Sequence, residues 1–378
     1  MQKYSFMKII AIFISGIVIL LMLGYINIKL PRAARVVARK RYCQIETYDE
    51  RQVVDKVRDA TIRELKKDYT YDHEIYYSKS FTRYCRGNKI SVYEYGEYGL
   101  LLYYSFLVAK KTHDEEMLEL VKHRFDIGLS EHLNSIVRCD QVSYGLVAIE
   151  LYLYYQDEKY RYFVDAIYNH CNNSADANGL ILYRSYSNEQ QVDALGFVPM
   201  FLCRYGEVFS NNDAIVLAEN LVYDYMKNGV DRNTGFPCQT YRISDKLKIN
   251  RANWSRGCAW YMLGVSSLPN LSTQGKIIYN KLVELLKQNG LYEIEQYYGQ
   301  DGSPDMSAVV PIVHTLVQRG DFTPSVKEII ENVGPYIRYD GRLSFMSPTI
   351  GMPYERPEPY TGGSFFNAML LDLLTRVE

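Results

Sequence analysis

From residue 50 onward the chain alternates two kinds of apolar stretch. One kind is apolar nearly all round: YGLLLYYSFLVAKK at 98–111, YGLVAIELYLYY at 144–155, VDALGFVPMFLCRYG at 192–206, CAWYMLGVSSL at 258–268, SAVVPIVHTLVQRG at 307–320 and SFFNAMLLDLL at 364–374. The other kind carries an apolar stripe with charges opposite: VVDKVRDATIRELKK at 53–67, MLELVKHRF at 117–125, RYFVDAIYNHC at 161–171, AIVLAENLVYDYM at 214–226, KIIYNKLVELLKQ at 276–288 and SVKEIIENV at 325–333. A helix apolar on every side is buried, and one with a single apolar stripe lies on the outside of a domain. Polar turns such as THDEE, QDEKY and LSTQG join each buried stretch to the amphipathic one after it. The pairs recur every roughly 45 to 65 residues, the length of a repeated structural unit. The pattern predicts two concentric rings of helices, an all-α (α/α)6 toroid or six-hairpin barrel. Strand signals are few; LILYRSYS at 180–187 is the best of them and too little to build a sheet on. No Pro, Gly or Ser-rich linker interrupts residues 51–378, which are expected to form one domain.

The N-terminus follows another pattern. Ile9 to Ile28, IIAIFISGIVILLMLGYINI, holds no charge over about twenty residues, the length that spans a bilayer. It lacks the short apolar region and small-residue cleavage site of a signal peptide. The expectation is a short tail at 1–8, an uncleaved transmembrane anchor at 9–28 with the lipid bilayer as partner, and a basic juxtamembrane linker at 29–50. Lys29, Arg32, Arg35, Arg39, Lys40 and Arg41 follow the span, against Lys3 and Lys8 before it. The positive-inside rule then favours a cytoplasmic barrel on a single-pass membrane protein.

Composition changes this picture little. A formal net charge of -1 over 378 residues gives no electrostatic basis for nucleic acid as a partner. Tyrosine, at 36 residues, suits a protein that handles sugars, since rings stack on pyranose faces; it also fills helical cores with its hydroxyl at the edge. Seven cysteines stand singly, with no CxxC or paired Cys/His spacing, so neither a zinc site nor a disulfide framework is expected.

In a toroid, the loops that precede the inner helices line one end. Three stand out. RCDQVSYG carries Asp140, NEQQVDALGFVPMFL carries Asp193, and NWSRGCAW carries Trp254, Arg256 and Trp260, with both tryptophans of the chain. Each has a structural reading beside a functional one. Asp at a helix start is a standard N-cap, paired tryptophans often pack a core, and Arg256 is placed to ion-pair with either Asp. Asp305, in PDMSAVVP, is read as a cap or a substrate contact. His314 is expected to be a satisfied core histidine and Cys258 a small packed residue.

These segments resemble the unsaturated uronyl hydrolases of glycoside hydrolase families 88 and 105, from about residue 50 to the C-terminus. Asp140 and Gly145, followed by LYLYYQDEKY, are similar to a family segment that carries an acidic residue and a glycine. Asp193 in VDALGFVPMFL resembles the segment that carries the general acid, Trp254-x-Arg256-Gly257-x-x-Trp260 resembles the W-x-R-G-N-G-W motif, and TGGSFFNAMLLDLL is similar to the last inner helix. Two positions depart: Cys258 and Ala259 stand in place of Asn and Gly, and Gln239 in place of a histidine, so that a group that hydrogen-bonds replaces one that titrates. The resemblance implies a hydrolase acting on acidic oligosaccharides or polysaccharides, with no metal or organic cofactor. It implies Asp193 as proton donor and acceptor, Asp140 as the carboxylate beside it, Trp254 and Trp260 as stacking walls, Arg256 as partner of the uronate carboxylate and Gln239 as a substrate contact. Two other readings keep the barrel: an ordinary inverting glycosidase with Asp140 and Asp193 as its acid and base, and a non-catalytic barrel that binds polysaccharide or scaffolds its assembly.

Overall fold

The computed structural model describes residues 15–22, 49–71, 89–133, 136, 138–183, 187–249, 253–299, 304–346 and 364–377. Among the described residues between Glu50 and Arg376, twelve helices alternate between an outer and an inner ring. The odd-numbered ones are outer: α1 (Glu50–Leu65), α3 (Glu115–Glu131), α5 (Glu158–Ser174), α7 (Asn212–Asn228), α9 (Thr273–Gln288) and α11 (Val326–Val333). The even-numbered ones are inner: α2 (Gly96–Thr112), α4 (Ser143–Tyr155), α6 (Val198–Phe209), α8 (Ser255–Ser267), α10 (Met306–Arg319) and α12 (Ser364–Arg376). Each inner helix packs on the next, and α12 packs on α2 and α1 to close the ring.

Burial follows the two sequence patterns. In α8 every residue from Ser255 to Val265 is buried, and in α10 every residue from Met306 to Leu316. In α7 the buried positions are Ala214, Leu217, Ala218, Leu221, Val222, Tyr225 and Met226, the i, i+3, i+4 stripe of a helix that faces the core on one side. All six outer helices start on a side-chain cap: Asp49, Asp114, Asp157, Asn211, Ser272 and Ser325 each accept a backbone N–H of the first turn. Inner helices α2, α4, α6 and α8 show no such cap of their own.

The inner helices start so close together that some contacts tolerate no side chain. A Cβ on Gly96 would lie 1.8 Å from the carbonyl oxygen of Asp140, and one on Gly196 would lie 2.2 Å from the Trp260 ring. These glycines are required by close approach rather than by an unusual φ.

Two small sheets decorate this end. β1 (Tyr69–Tyr71) pairs antiparallel with β2 (Lys89–Ser91). β3 (Glu189–Gln191), β4 (Thr240–Arg242) and β5 (Lys248–Ile249) form an antiparallel sheet with β4 central. The strand-like stretch 180–187 contributes no strand among its described residues.

Of the expected span at 9–28, only 15–22 is described; it is helical, and Ile17 to Met22 are all exposed. No helix among the described residues is long and apolar enough to cross a membrane. The rest of the span, and the basic linker to residue 48, lie outside the described residues.

Candidate active site

The sequence-predicted residues converge at the end of the barrel where all six inner helices begin. Asp140 lies on a one-turn 3-10 segment, Cys139–Val142, that runs straight into α4. Asp193 lies on the equivalent segment, Val192–Gly196, just before α6. These two turns touch. Trp254 sits immediately before α8, with Arg256 and Trp260 in its first two turns. Gln239 directly precedes β4, and its carbonyl accepts the Val192 N–H at 3.0 Å. The β3–β4 ladder thus brings Gln239 next to the Asp193 turn from 46 positions away in sequence.

Asp140 is 3% exposed and held on three sides. Its Oδ1 accepts Arg138 Nε at 2.9 Å; its Oδ2 accepts Arg138 Nη2 at 3.2 Å and the Gly96 N–H at 3.1 Å. The last bond caps α2 from a neighbouring loop, so the capping reading of Asp140 applies in trans, to a different helix from its own. A carboxylate at a helix N-terminus is favoured by the helix dipole as well. Burial opposes the charge on Arg138, but the bonds to Asp140 outweigh it and hold the guanidinium pKa above its ordinary value. Arg138 also lies over the Tyr95 ring, 4.7 Å from its centroid, and the nearby Tyr183 phenol adds to the rise of its pKa.

Asp193 is 7% exposed. It shares a neighbourhood with Asp140, since two groups feel both charges. Burial, then Asp140 and Asp193, push the half-buried Tyr183 phenol above its usual range. Burial first, with Asp140 and Asp193 adding to it, also pushes up the Cys139 thiol. Tyr225, raised mainly by burial, also feels the Asp193 charge.

Both indoles are packed into the wall. Trp254 is 2% exposed and Trp260 is 5% exposed. Trp260 sits between Phe197, at 5.1 Å between centroids, and Phe365 of α12, at 5.7 Å. Arg256, also buried, donates from Nε to Ser307 Oγ at 2.8 Å, and its guanidinium lies 5.9 Å from Trp254 and 6.0 Å from Phe366. Ser307 in turn donates to Asp305, whose carboxylate caps α10. A clasp of Arg256, Ser307 and Asp305 thus joins α8 to α10, where the sequence suggested an ion pair with Asp140 or Asp193. Gln239 is buried as well.

Cys258 is the packed residue expected, and His314 is a core histidine paired through one of its two ring nitrogens. His314 Nε2 lies 2.7 Å from Asp372 Oδ2 in the core, and Cys258 is fully buried with its thiol pushed up by burial. The five described cysteines are free, while Cys43 and Cys85 lie outside the described residues. Among the described residues no group of three or more His, Cys, Asp or Glu is arranged to hold a metal ion.

Arg138, Tyr183, Tyr95 and Ser307 went unread in the sequence. Arg138 had one available signal: it stands two residues before Asp140, within reach of a local charge pair.

Comparison with known proteins places this geometry. A possible member of the GH105 family from Salmonella enterica superposes with a TM-score of 0.72 at 14% identity, covering 88% of this chain and 95% of its own. An unsaturated glucuronyl hydrolase from Bacillus sp. GL1 gives 0.59 at 16% identity, with 85% and 96% covered. An α-1,6-mannanase of family GH76 from Salegentibacter sp. gives 0.61 at 14%, with 87% and 99% covered. At these identities the likeness is one of fold. Among curated proteins, none matches the chain. The model of Glycosyl Hydrolase Family 88 matches residues 51–303, about two thirds of the chain. On that match, with the barrel and its paired acidic turns, the chain belongs to Glycosyl Hydrolase Family 88 and is a glycoside hydrolase of the unsaturated uronyl type.

Proposed function

We propose that the barrel removes a terminal unsaturated uronyl residue from an acidic oligosaccharide. The observation that carries this reading is the placement of Asp140 and Asp193 on touching turns at the start of adjacent inner helices, with Tyr183 within the field of both. In this reading the protonated Asp193 carboxyl donates to C4 of the C4=C5 enol ether, leaving an oxocarbenium ion centred on C5. The Asp193 carboxylate then takes a proton from water as its oxygen adds to C5. The resulting hemiketal opens and the aglycone leaves, with Asp193 again protonated. One carboxyl that gives and then takes a proton is sufficient for this chemistry. Asp140, whose Oδ1 accepts one N–H and Oδ2 two, keeps acceptor capacity with which to orient a sugar hydroxyl. Trp254 and Trp260 shape the wall, and Gln239 contacts the sugar as a donor that does not titrate.

The apolar, uncharged run 9–28 supports anchoring of the barrel to a bilayer, and the Lys and Arg residues after it support a cytoplasmic face. Alkaline extraction of membranes tests the anchor: release of the full chain into the soluble fraction overturns it.

The test of the reaction follows the C4=C5 absorbance of lyase-generated unsaturated disaccharides incubated with the full chain. Loss of absorbance with the wild type and none with Asp193→Asn is the expected result. A replacement of histidine by Gln239 favours one second reading, a barrel that binds such sugars without cleaving them. Saturable binding without loss of absorbance supports that reading against hydrolysis.

A further inference from the structure

Resting on the proposed uronyl substrate, we infer that Arg138 is the residue that recognises the carboxylate of the sugar, in place of Arg256 on which the family motif had put that role. The two guanidinium groups differ in situation. Arg256 is 9% exposed, wedged beside Trp254 and Phe366, with Nε on Ser307 in the clasp between α8 and α10. Its place is in the wall. The Arg138 side chain is 41% exposed while its partner Asp140 is 5% exposed, so the pair presents its cationic member outward.

Three features fix Arg138 for such a role. Its backbone N–H donates to Gln141 Oε1 at 3.0 Å, which anchors the start of the turn. Its guanidinium carbon lies over the Tyr95 ring, 4.7 Å from the centroid, a contact that suits a guanidinium better than a lysine. Pairing with Asp140 uses Nε and Nη2, two of the five N–H groups of the fork, and leaves others for a ligand. The Asp140 charge does not cancel the site for an anion, because that carboxylate is itself shared with the Gly96 N–H at the positive end of α2. The turns that carry Asp140 and Asp193 touch, so Arg138, paired with Asp140, lies on the turn beside the reacting carboxyl. A planar carboxylate on C5 of the sugar, next to the C4 that is protonated, fits a planar cation in that place.

A matched pair of substrates tests this: an unsaturated uronide and its methyl ester, which carries the same C4=C5 bond without the charge. The readout is the ratio of kcat/KM for acid over ester. Wild type is expected to prefer the acid, and Arg138→Met to collapse that ratio by roughly 10- to 100-fold, the range of one charge-assisted contact. Arg138→Lys, which keeps the charge but not the fork, is expected to fall between them and serves if the Met variant folds poorly. Any disturbance of Asp140 lowers both substrates together and leaves the ratio alone. A ratio unchanged in both variants, or a wild type that turns over acid and ester equally, overturns the assignment while the reaction itself stands. Loss of absorbance on neither substrate with the wild type overturns the reaction and this assignment with it.

Discussion

Each end of the inner ring buries carboxylates beside a tyrosine. Near the C-terminal ends of the inner helices, Tyr103 is raised first by burial and then by Glu150, with Asp372 adding to it. At the other end Tyr183 feels Asp140 and Asp193 in the same way. The two ends differ in what surrounds the charges. Glu150 is met by Arg204 at 2.7 Å and Lys110 at 3.8 Å; Asp372 by His314 at 2.7 Å and Arg376 at 2.6 Å. Those carboxylates sit within helix bodies, and their partners come from helices α2, α6, α10 and α12 packed around them. Asp140 and Asp193 instead sit on 3-10 turns before helices, and Arg138 beside them faces outward. A buried carboxylate in a helix body with two basic partners is architecture; one on a turn with an outward-facing cation is available for chemistry.

Substitutions at the two ends sharpen or break that contrast. The largest effect is expected for Asp193→Asn, which should lower turnover by about 10²- to 10⁴-fold, the usual weight of a general acid. Its thermal unfolding midpoint should stay near that of the wild type; a large drop would make Asp193 part of the architecture instead. Asp372→Ala should do the reverse. Removing one member of a buried ion pair destabilises by about 3–5 kcal/mol, read by denaturant unfolding, while the fraction that remains folded keeps its kcat.

Gly96→Ala links the two classes, because its Cβ meets the Asp140 backbone at the distance already given. Overpacking of this kind destabilises by about 1–3 kcal/mol, and here it should also lower activity by displacing the Asp140 turn. Stability without loss of activity would show that the turn relaxes freely. The acid limb of stability should depend on Asp372. Burial tends to raise this carboxyl, yet the His314 bond and the Arg376 charge hold it below its ordinary value. A group depressed in the folded state binds fewer protons there than in the unfolded chain. Its stabilisation is complete above about pH 4 and is lost as pH falls through the depressed value. Asp372→Asn should flatten that limb of the pH–stability curve. The smallest effect is expected at Tyr162, 72% exposed on α5, where Tyr162→Ser should change stability by no more than about 0.5 kcal/mol.

The rings were legible because burial in a helix is a local pattern. Gly257 to Val265 is apolar or small throughout and is buried throughout; 214–226 shows a stripe and buries it. The positions of Asp140 and Asp193 were legible through the order of repeats. The β3–β4–β5 sheet was not, because strands of two or three residues carry no periodicity and their partners are distant in sequence. The settings of the two arginines were also not legible. Arg256 lies in a recognisable motif, but its burial depends on Ser307 and Phe366, which arrive from later repeats. Arg138 carries no motif, and its place is set by Tyr95 and Tyr183 on either side of it in the chain.

The bond from the Val192 N–H to the Gln239 carbonyl has a consequence for exchanging parts between related barrels. Asp193 and the position that differs from the family histidine move as one piece. A chimera whose crossover falls between residues 193 and 239 would pair the Asp193 turn from one parent with a ladder from the other. Transplanted specificity should therefore travel only when 188–193 and 239–249 are inherited together, as a single cassette written in two places.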